Sequence, residues 1–215
     1  MNPHFTVLST RAERIIFIFS DNDNFHCRPG GLGKEHFMKT LWQLDPAHSS
    51  ANFSVKHMMI AKVHGGFEKL SGTLAYDATN PADSKVDVTI EASSINTREP
   101  QRDTHLKSAD FFDVAQFPTL TFHSTRVEVS GDGELRVTGD LTIRDVTQSV
   151  VLQVEGPSAE LKDPWGNARI GVSATTKIKR KDFGLTWNAA LETGGVLVGD
   201  DIAITLDVQF TKKLE

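Results

Sequence analysis

Most of this chain alternates apolar and polar residues with a period of two, and that rhythm limits what it can fold into. In the C-terminal run, Ile202, Ile204, Leu206, Val208 and Phe210 share one side, while Asp201, Thr205, Asp207 and Gln209 fall on the other. Successive side chains of a strand point to opposite faces, so such a run makes a strand with one dry face and one wet face. The pattern recurs in Val86, Val88 and Ile90, in Leu135, Val137, Leu141 and Ile143, and in Ile170, Val172, Ala174 and Ile178. Phe53 and Val55 mark a first strand of the same kind. Turn-forming groups lie between them: Asn80-Pro81, Gly131-Asp132-Gly133, Asp163 to Asn167, and Gly199-Asp200-Asp201. Counting strands between such turns gives roughly eight, at spacings found in all-β sandwiches and barrels.

An apolar stripe on nearly every strand has two outcomes, a sandwich with a filled core or a closed barrel, and periodicity alone does not choose between them. The positions expected to face inward include many Val, Ala, Ser and Thr, small enough to leave space, which favours a cavity. One segment departs from the rhythm. Asp103 to Val114 carries apolar residues at helical offsets, with Asp103 near the expected N-terminus and Lys107 placed for an i,i+4 pair. Pro118 follows and would stop a helix.

Residues 1–40 differ from the remainder and are expected to form an extension outside the fold, with the folded domain spanning 41–213. Ile15 to Phe19 is too short an apolar run to span a bilayer, and Asp21, Asp23 and Asn24 stand where an export signal would carry small residues. A cytoplasmic location is the resulting expectation. Met38, just ahead of the first patterned segment, offers an alternative start.

A length of 215 residues and a net charge of −5 suit one globular domain without a broad basic surface, which argues against nucleic acid as a partner. The same charge balance disfavours anionic membrane surfaces, and no stable membrane insertion is expected. Cys27 is the single cysteine, so neither an intrachain disulfide nor a multi-cysteine metal site can form.

No motif for catalysis emerges. His48, His57, His64, His105 and His123 lack the spacing and the acidic or thiol companions of a zinc set, so no metal is expected. The polar stretch Arg98 to Ser108 holds acid, base and hydroxyl groups, but capping and helical pairing produce the same composition. Lys177, Lys179, Arg180 and Lys181 form a basic run that reads as a solvated face, with a phosphate contact as the sharper alternative. Gly194 to Gly199 lacks the Lys-Ser/Thr of a phosphate loop, and no serine lies in a nucleophile elbow. Phe111, Phe112, Phe117, Phe122, Phe183, Trp165 and Trp187 gather around the helical segment and the later strands, where they would dominate a core or a pocket.

Several ordered motifs resemble one family. Trp42-Gln43-Leu44-Asp45-Pro46-Ala47-His48-Ser49, then Phe53 and His57, then Gly65-Gly66-Phe67 and Gly72, look like the opening of the YceI-like bacterial lipid-binding proteins. Arg102 to Asp113, Phe117-Pro118, Phe122, Gly139 to Thr147 and Arg180 to Leu185 continue the pattern in order. Asp145 stands where many members carry glycine, a change that affects a turn more than the cavity. The resemblance covers about Leu41 to Lys212 and implies an extended, lipocalin-like, eight-stranded antiparallel β-barrel with a short helix near one end. Its channel would hold a polyisoprenoid, such as a polyprenyl chain or quinone tail, for binding, storage or transport, with no other cofactor and no catalytic residue.

On this reading Phe53, Val55, Val88, Ile90 and Phe111 are expected to line the channel, together with Phe122, Leu141, Ile143, Val172 and Trp187. His57, Arg102, His105 and Arg180 are the polar candidates for its mouth. A homodimer is the commonest assembly for a protein of this size. Two rival readings are a small enzyme acting on an isoprenoid or quinone through His105 or Asp103, and a ligand-free structural or dimerisation barrel.

Overall fold

The computed structural model describes residues 39–212 apart from Asp132 and Thr193; the expected N-terminal extension lies outside the described residues up to position 38. Three of the strands are broken in two. β1 (Thr40–Leu44) and β2 (Ser50–His57) flank a 3-10 turn at Pro46–His48, where proline cannot donate to a strand ladder. β3 (Ala61–Phe67) and β4 (Leu70–Tyr76) pair with β2 and β1 respectively, placing Ala51 opposite Phe67 and Trp42 opposite Leu74. β5 (Lys85–Glu91) and β6 (Ile95–Asn96) flank a second turn at Ala92–Ser94 and pair with β4 and β3. Two of the breaks are tied together: the Glu68 N–H donates to the Ser94 carbonyl, and the Lys69 N–H to Ser94 Oγ.

After the helix α1 (Pro100–Lys107) come β7 (Thr119–Gly131), β8 (Glu134–Ile143), β9 (Val146–Glu155), the short β10 (Leu161–Lys162), β11 (Ala168–Lys179) and β12 (Val198–Lys212). Each long strand pairs antiparallel with the one before it, from β5 and β7 round to β11 and β12. The far edge of β12 returns to the start, with Phe210 opposite Leu44 and Ile204 opposite Phe53. Counting each broken strand once, eight antiparallel strands in chain order close on themselves. Closure decides for the barrel over the sandwich and gives every long strand a neighbour on both sides for at least part of its length.

Most of the wall is densely paired, with β11 and β12 in register from Arg169–Thr211 to Lys179–Asp201. One seam is not. β9 and β11 exchange backbone pairs only where Ser173, Ala174 and Thr175 face Glu155, Val154 and Gln153. Beyond that point side chains bridge the strands: Thr176 Oγ1 donates to the Val151 carbonyl (2.8 Å), and Gln148 Nε2 to the Asp182 carbonyl (3.0 Å).

Two expectations are corrected. Gly199-Asp200-Asp201 does not reverse the chain but sits inside β12, at a register shift against β2 between Val198 and Ile202. Arg180 holds that irregularity by donating to the Gly199 carbonyl and Asp200. The helix also starts and ends earlier than the apolar offsets predicted. Glu99 caps it through the Gln101 N–H, and Ser108 terminates it, turning its Oγ back to the His105 carbonyl. Asp103 accepts from the Thr97 N–H and hydroxyl instead of pairing with Lys107.

Candidate functional site: an apolar channel inside the barrel

The inward faces of the strands do not meet. They enclose a cavity of about 280 Å³. On β8 alone the lining runs from Leu135 to Ile143, about 27 Å of strand at roughly 3.4 Å per residue. Near α1 the lining includes Leu106, Phe111, Phe112, Leu185 and Arg180; at the opposite end it includes Tyr76, Ser84, Lys85 and Pro157. Between those ends it is built almost wholly of aliphatic and aromatic side chains.

Alternation explains why the lining is continuous. Phe53 and Val55 on β2, Val88 and Ile90 on β5, Phe122 on β7, Leu141 and Ile143 on β8, and Val172 on β11 all face the cavity, as does Phe111 after the helix. Two glycines shape it. Gly139 shares the inward face of β8, and a Cβ there would lie 2.4 Å from Phe122 Cζ, so the Phe122 ring occupies the space a side chain would need. Gly65, opposite Phe53, serves that ring in the same way, with a Cβ meeting Phe53 Cζ and Thr97 Cγ2 at 2.7 Å. Glycine thus lets two large rings approach the backbone of a neighbouring strand more closely than any side chain would allow.

Trp187 is the expected lining residue that the structure places elsewhere. It packs against Phe111 at a tilt of 48°, ring centroids 5.3 Å apart, and meets His105 edge-on at 4.7 Å. Phe111 covers that face of the channel, so Trp187 backs the wall and does not form it.

The polar candidates fare differently. Arg180 lines the cavity and is 3% exposed, yet its donors are spent on the protein. Nε reaches the Gly199 carbonyl, Nη1 the carbonyls of Leu185 and Trp187, and Nη2 the Val198 carbonyl and Asp200 Oδ1. Burial pushes its pKa down while Asp200 opposes the shift. Arg180 therefore plugs the α1 end of the barrel by stapling the segment 185–187 to the start of β12. Arg102 donates to the Thr97 hydroxyl and carbonyl, and so fastens α1 to β6. His105 pairs with Asp110 (2.9 Å) and packs on Phe111. His57 ends β2, opposite Ala61 and Val198. None of Arg102, His105 and His57 belongs to the cavity lining.

Several lining residues were not anticipated. Val150, Leu152 and Val154 of β9 face inward, but Val151 between them is apolar and 40% exposed, which blurs the alternation. Phe67 and Phe112 lie edge-on at 5.6 Å near α1, and Tyr76 sits at the far end. Among the described residues no group of three or more His, Cys, Asp or Glu is placed to hold a metal ion, and no helix is long and apolar enough to cross a membrane.

Outside the barrel, Arg169 bridges Asp45 in the β1–β2 break and Asp163 in the β10–β11 turn. Its guanidinium holds both carboxyls down to about 2, against partial burial that raises them.

Residues 42–210 match the YceI-like domain. The chain belongs to that family. A UPF0312 protein of Ectopseudomonas mendocina is 42% identical over 139 residues, covering 65% of this chain and 72% of the relative. Protein YceI of Salmonella newport is 43% identical over the same length and shares. Among solved structures, the Campylobacter jejuni YceI protein superposes with a TM-score of 0.62 at 34% identity, covering 74% of this chain and 90% of that one. Burkholderia cenocepacia BcnA gives 0.67 at 23% identity, covering 77% and 98%. A polyisoprenoid binding domain from Saccharophagus degradans gives 0.59 at 19% identity, covering 81% and 100%. Family and barrel are thus those the sequence motifs implied.

Proposed function

We propose that this YceI-like protein binds a long apolar isoprenoid lipid, a polyprenyl chain or quinone tail, inside the barrel, for storage or transport and without another cofactor. The observation that carries the proposal is a closed barrel whose bore is apolar over the length of its strands and is not filled by its own side chains. Apolar ligand surface transferred into such a bore contributes about 2.5 kcal/mol per 100 Å² before the cost of association. The Saccharophagus degradans neighbour, described as a polyisoprenoid binding domain, supports the same ligand class.

With Arg180 saturated, a polar head group would find its partners at the far end, where Tyr76, Ser84 and Lys85 contribute to the lining. A catalytic reading gains nothing from the geometry, because His105 and Asp103 are engaged with Asp110 and Thr97 and neither lines the bore.

Organic extraction of the purified protein followed by mass spectrometry tests the proposal. A polyprenyl or isoprenoid-quinone species in near-stoichiometric amount is expected. An extract empty of lipid, from protein that also fails to take up a polyprenol from detergent solution, would leave a purely structural barrel.

A further inference from the structure

The end of the barrel beside α1 carries a feature that neither folding nor the channel explains. β2 and β3 are joined by the turn His57-Met58-Met59-Ile60, closed by the Ile60 N–H donating to the His57 carbonyl (3.2 Å). Both central residues are left-handed, Met58 at φ 51° and Met59 at φ 62°. A tight turn of this geometry favours Asn-Gly or Gly-Gly, because other side chains are strained there. The two-residue tip of the β8–β9 hairpin also has two left-handed residues, but with polar occupants, Arg144 at φ 52° and Asp145 at φ 58°, which accounts for the glycine preferred at that position. At the β2–β3 tip the strained positions hold two methionines instead.

The side chains on this tip face outward. Met58 is 40% exposed, Met59 56% and Ile60 83%; Val196, just ahead of β12, is 40% exposed. The Met58 N–H donates to the Leu197 carbonyl (2.7 Å), so the tip is tied to the strand start at Val198. Val198 and Val55, three residues from the tip, both line the cavity. The exposed apolar tip therefore borders the end of the bore that Arg180 plugs.

Charge around the tip is arranged with equal disregard for local stability. Lys56 and Lys62 sit directly opposite one another, a like-charge cross-strand pair that weakens a hairpin. Among the described residues neither meets a carboxylate partner. The acids nearest this end are occupied: Asp200 by Arg180 and Lys181, Asp201 by Lys177. The Lys177 hydrogen bond, with smaller contributions from Lys179 and then Lys56, holds the Asp201 carboxyl below the usual range.

We infer that the Met58-Met59-Ile60 tip and its Lys56–Lys62 pair form a docking surface for an anionic lipid bilayer. The apolar side chains enter the headgroup–acyl boundary while the lysines stay at the phosphate level. Each lysine gains from the negative surface potential over about a Debye length, so the net charge of −5 on the whole chain does not oppose a local contact. Flexible methionines suit a surface without fixed shape. Such contact would set the end of the bore bearing Val55 and Val198 against the membrane that holds an apolar ligand. This purpose rests on the channel reading, whereas the contact itself does not.

Co-sedimentation of the full chain with vesicles of phosphatidylglycerol and phosphatidylcholine, against vesicles of phosphatidylcholine alone, tests the inference. The protein is expected to pellet with the anionic vesicles and to be released by salt. M58N/M59G installs the residues the turn prefers, so it should stay folded and keep its extractable lipid, yet lose at least tenfold in vesicle partitioning. K56Q/K62Q should lose about 30-fold at low salt, from roughly fivefold per lysine near an anionic surface. Equal pelleting of M58N/M59G and the parent would overturn the inference. So would a parent that ignores anionic vesicles, or a tip variant that changes only the oligomeric state. An empty lipid extract with intact vesicle docking would instead count against the channel reading alone.

Discussion

Gly139→Ala is a single methyl group aimed at the wall of the channel. The added Cβ would lie 2.4 Å and 2.6 Å from Phe122 ring atoms and 2.6 Å from the His123 carbonyl oxygen. Rotating the ring relieves only the first two contacts, because the carbonyl belongs to the backbone of β7. Overpacking of this kind costs about 1–3 kcal/mol, and loss of glycine's freedom in the unfolded chain returns roughly 0.4–1 kcal/mol. The net loss, about 1.3 kcal/mol at mid-range, corresponds to a melting temperature lower by about 3–5 °C for a domain of this size. The displaced Phe122 ring has only the bore to move into, so lipid recovered per protein should fall as well. Gly171→Ala on β11 is the matched control. Its Cβ would have nothing nearer than Ser158 Oγ at 3.8 Å, so it should hold or gain stability by about 0.4–1 kcal/mol. Thermal unfolding and lipid extraction on both variants give the answer. If Gly139→Ala melts with the parent and keeps its lipid, or if Gly171→Ala falls as far, the glycine does not set the position of the ring.

Arg180→Met should destabilise the fold by at least about 3 kcal/mol in chemical denaturation, since the carbonyls of Leu185, Trp187 and Gly199 lose a donor together. Arg180→Lys should not restore it, because a compact ammonium cannot reach the same spread of acceptors. Asp45 and Asp163 are held below the ordinary 3.8, so their contribution is complete above about pH 4 and is lost as pH falls toward 2. Melting curves across that window should show a steeper acid loss for the parent than for Arg169→Met; parallel curves would remove the clasp from the account. Leu141→Asp places a carboxylate in the apolar bore and should abolish lipid recovery while Tyr76→Phe with Lys85→Met changes only which head groups are retained.

The strands were legible because one residue in two must be apolar when one face is dry, and Ile202 to Phe210 obey that rule with only the small Ala203 on the wet face. Closure was not, since it depends on β12 reaching back to Leu44 and Phe53, a long-range pairing with no local signature. The breaks in β1–β2 and β5–β6 were half visible in Pro46 and invisible at Ala92–Ser94. Of the ten apolar residues expected to line the channel, all but Trp187 do so. The polar mouth did not follow, because Arg102, His105 and Arg180 were read by chemistry, and their partners, Thr97, Asp110 and a ring of backbone carbonyls, are set by packing. Trp187 was grouped with the other aromatics for its size, and only the position of Phe111 shows which of the two faces the bore. The Met58-Met59 tip gave no turn signal, because neither residue is one that turns select for.

The β9–β11 seam makes the girth of this barrel adjustable. The β7–β8, β8–β9 and β11–β12 seams are long ladders that fix the spacing, but here three backbone pairs hold one half and two side-chain bonds hold the other. Val150, Leu152, Thr176 and Ile178, which flank the loosely joined half, are also lining residues. Parting those two bonds would cost far less than breaking a ladder, so the α1 half of this seam is where the wall opens most cheaply.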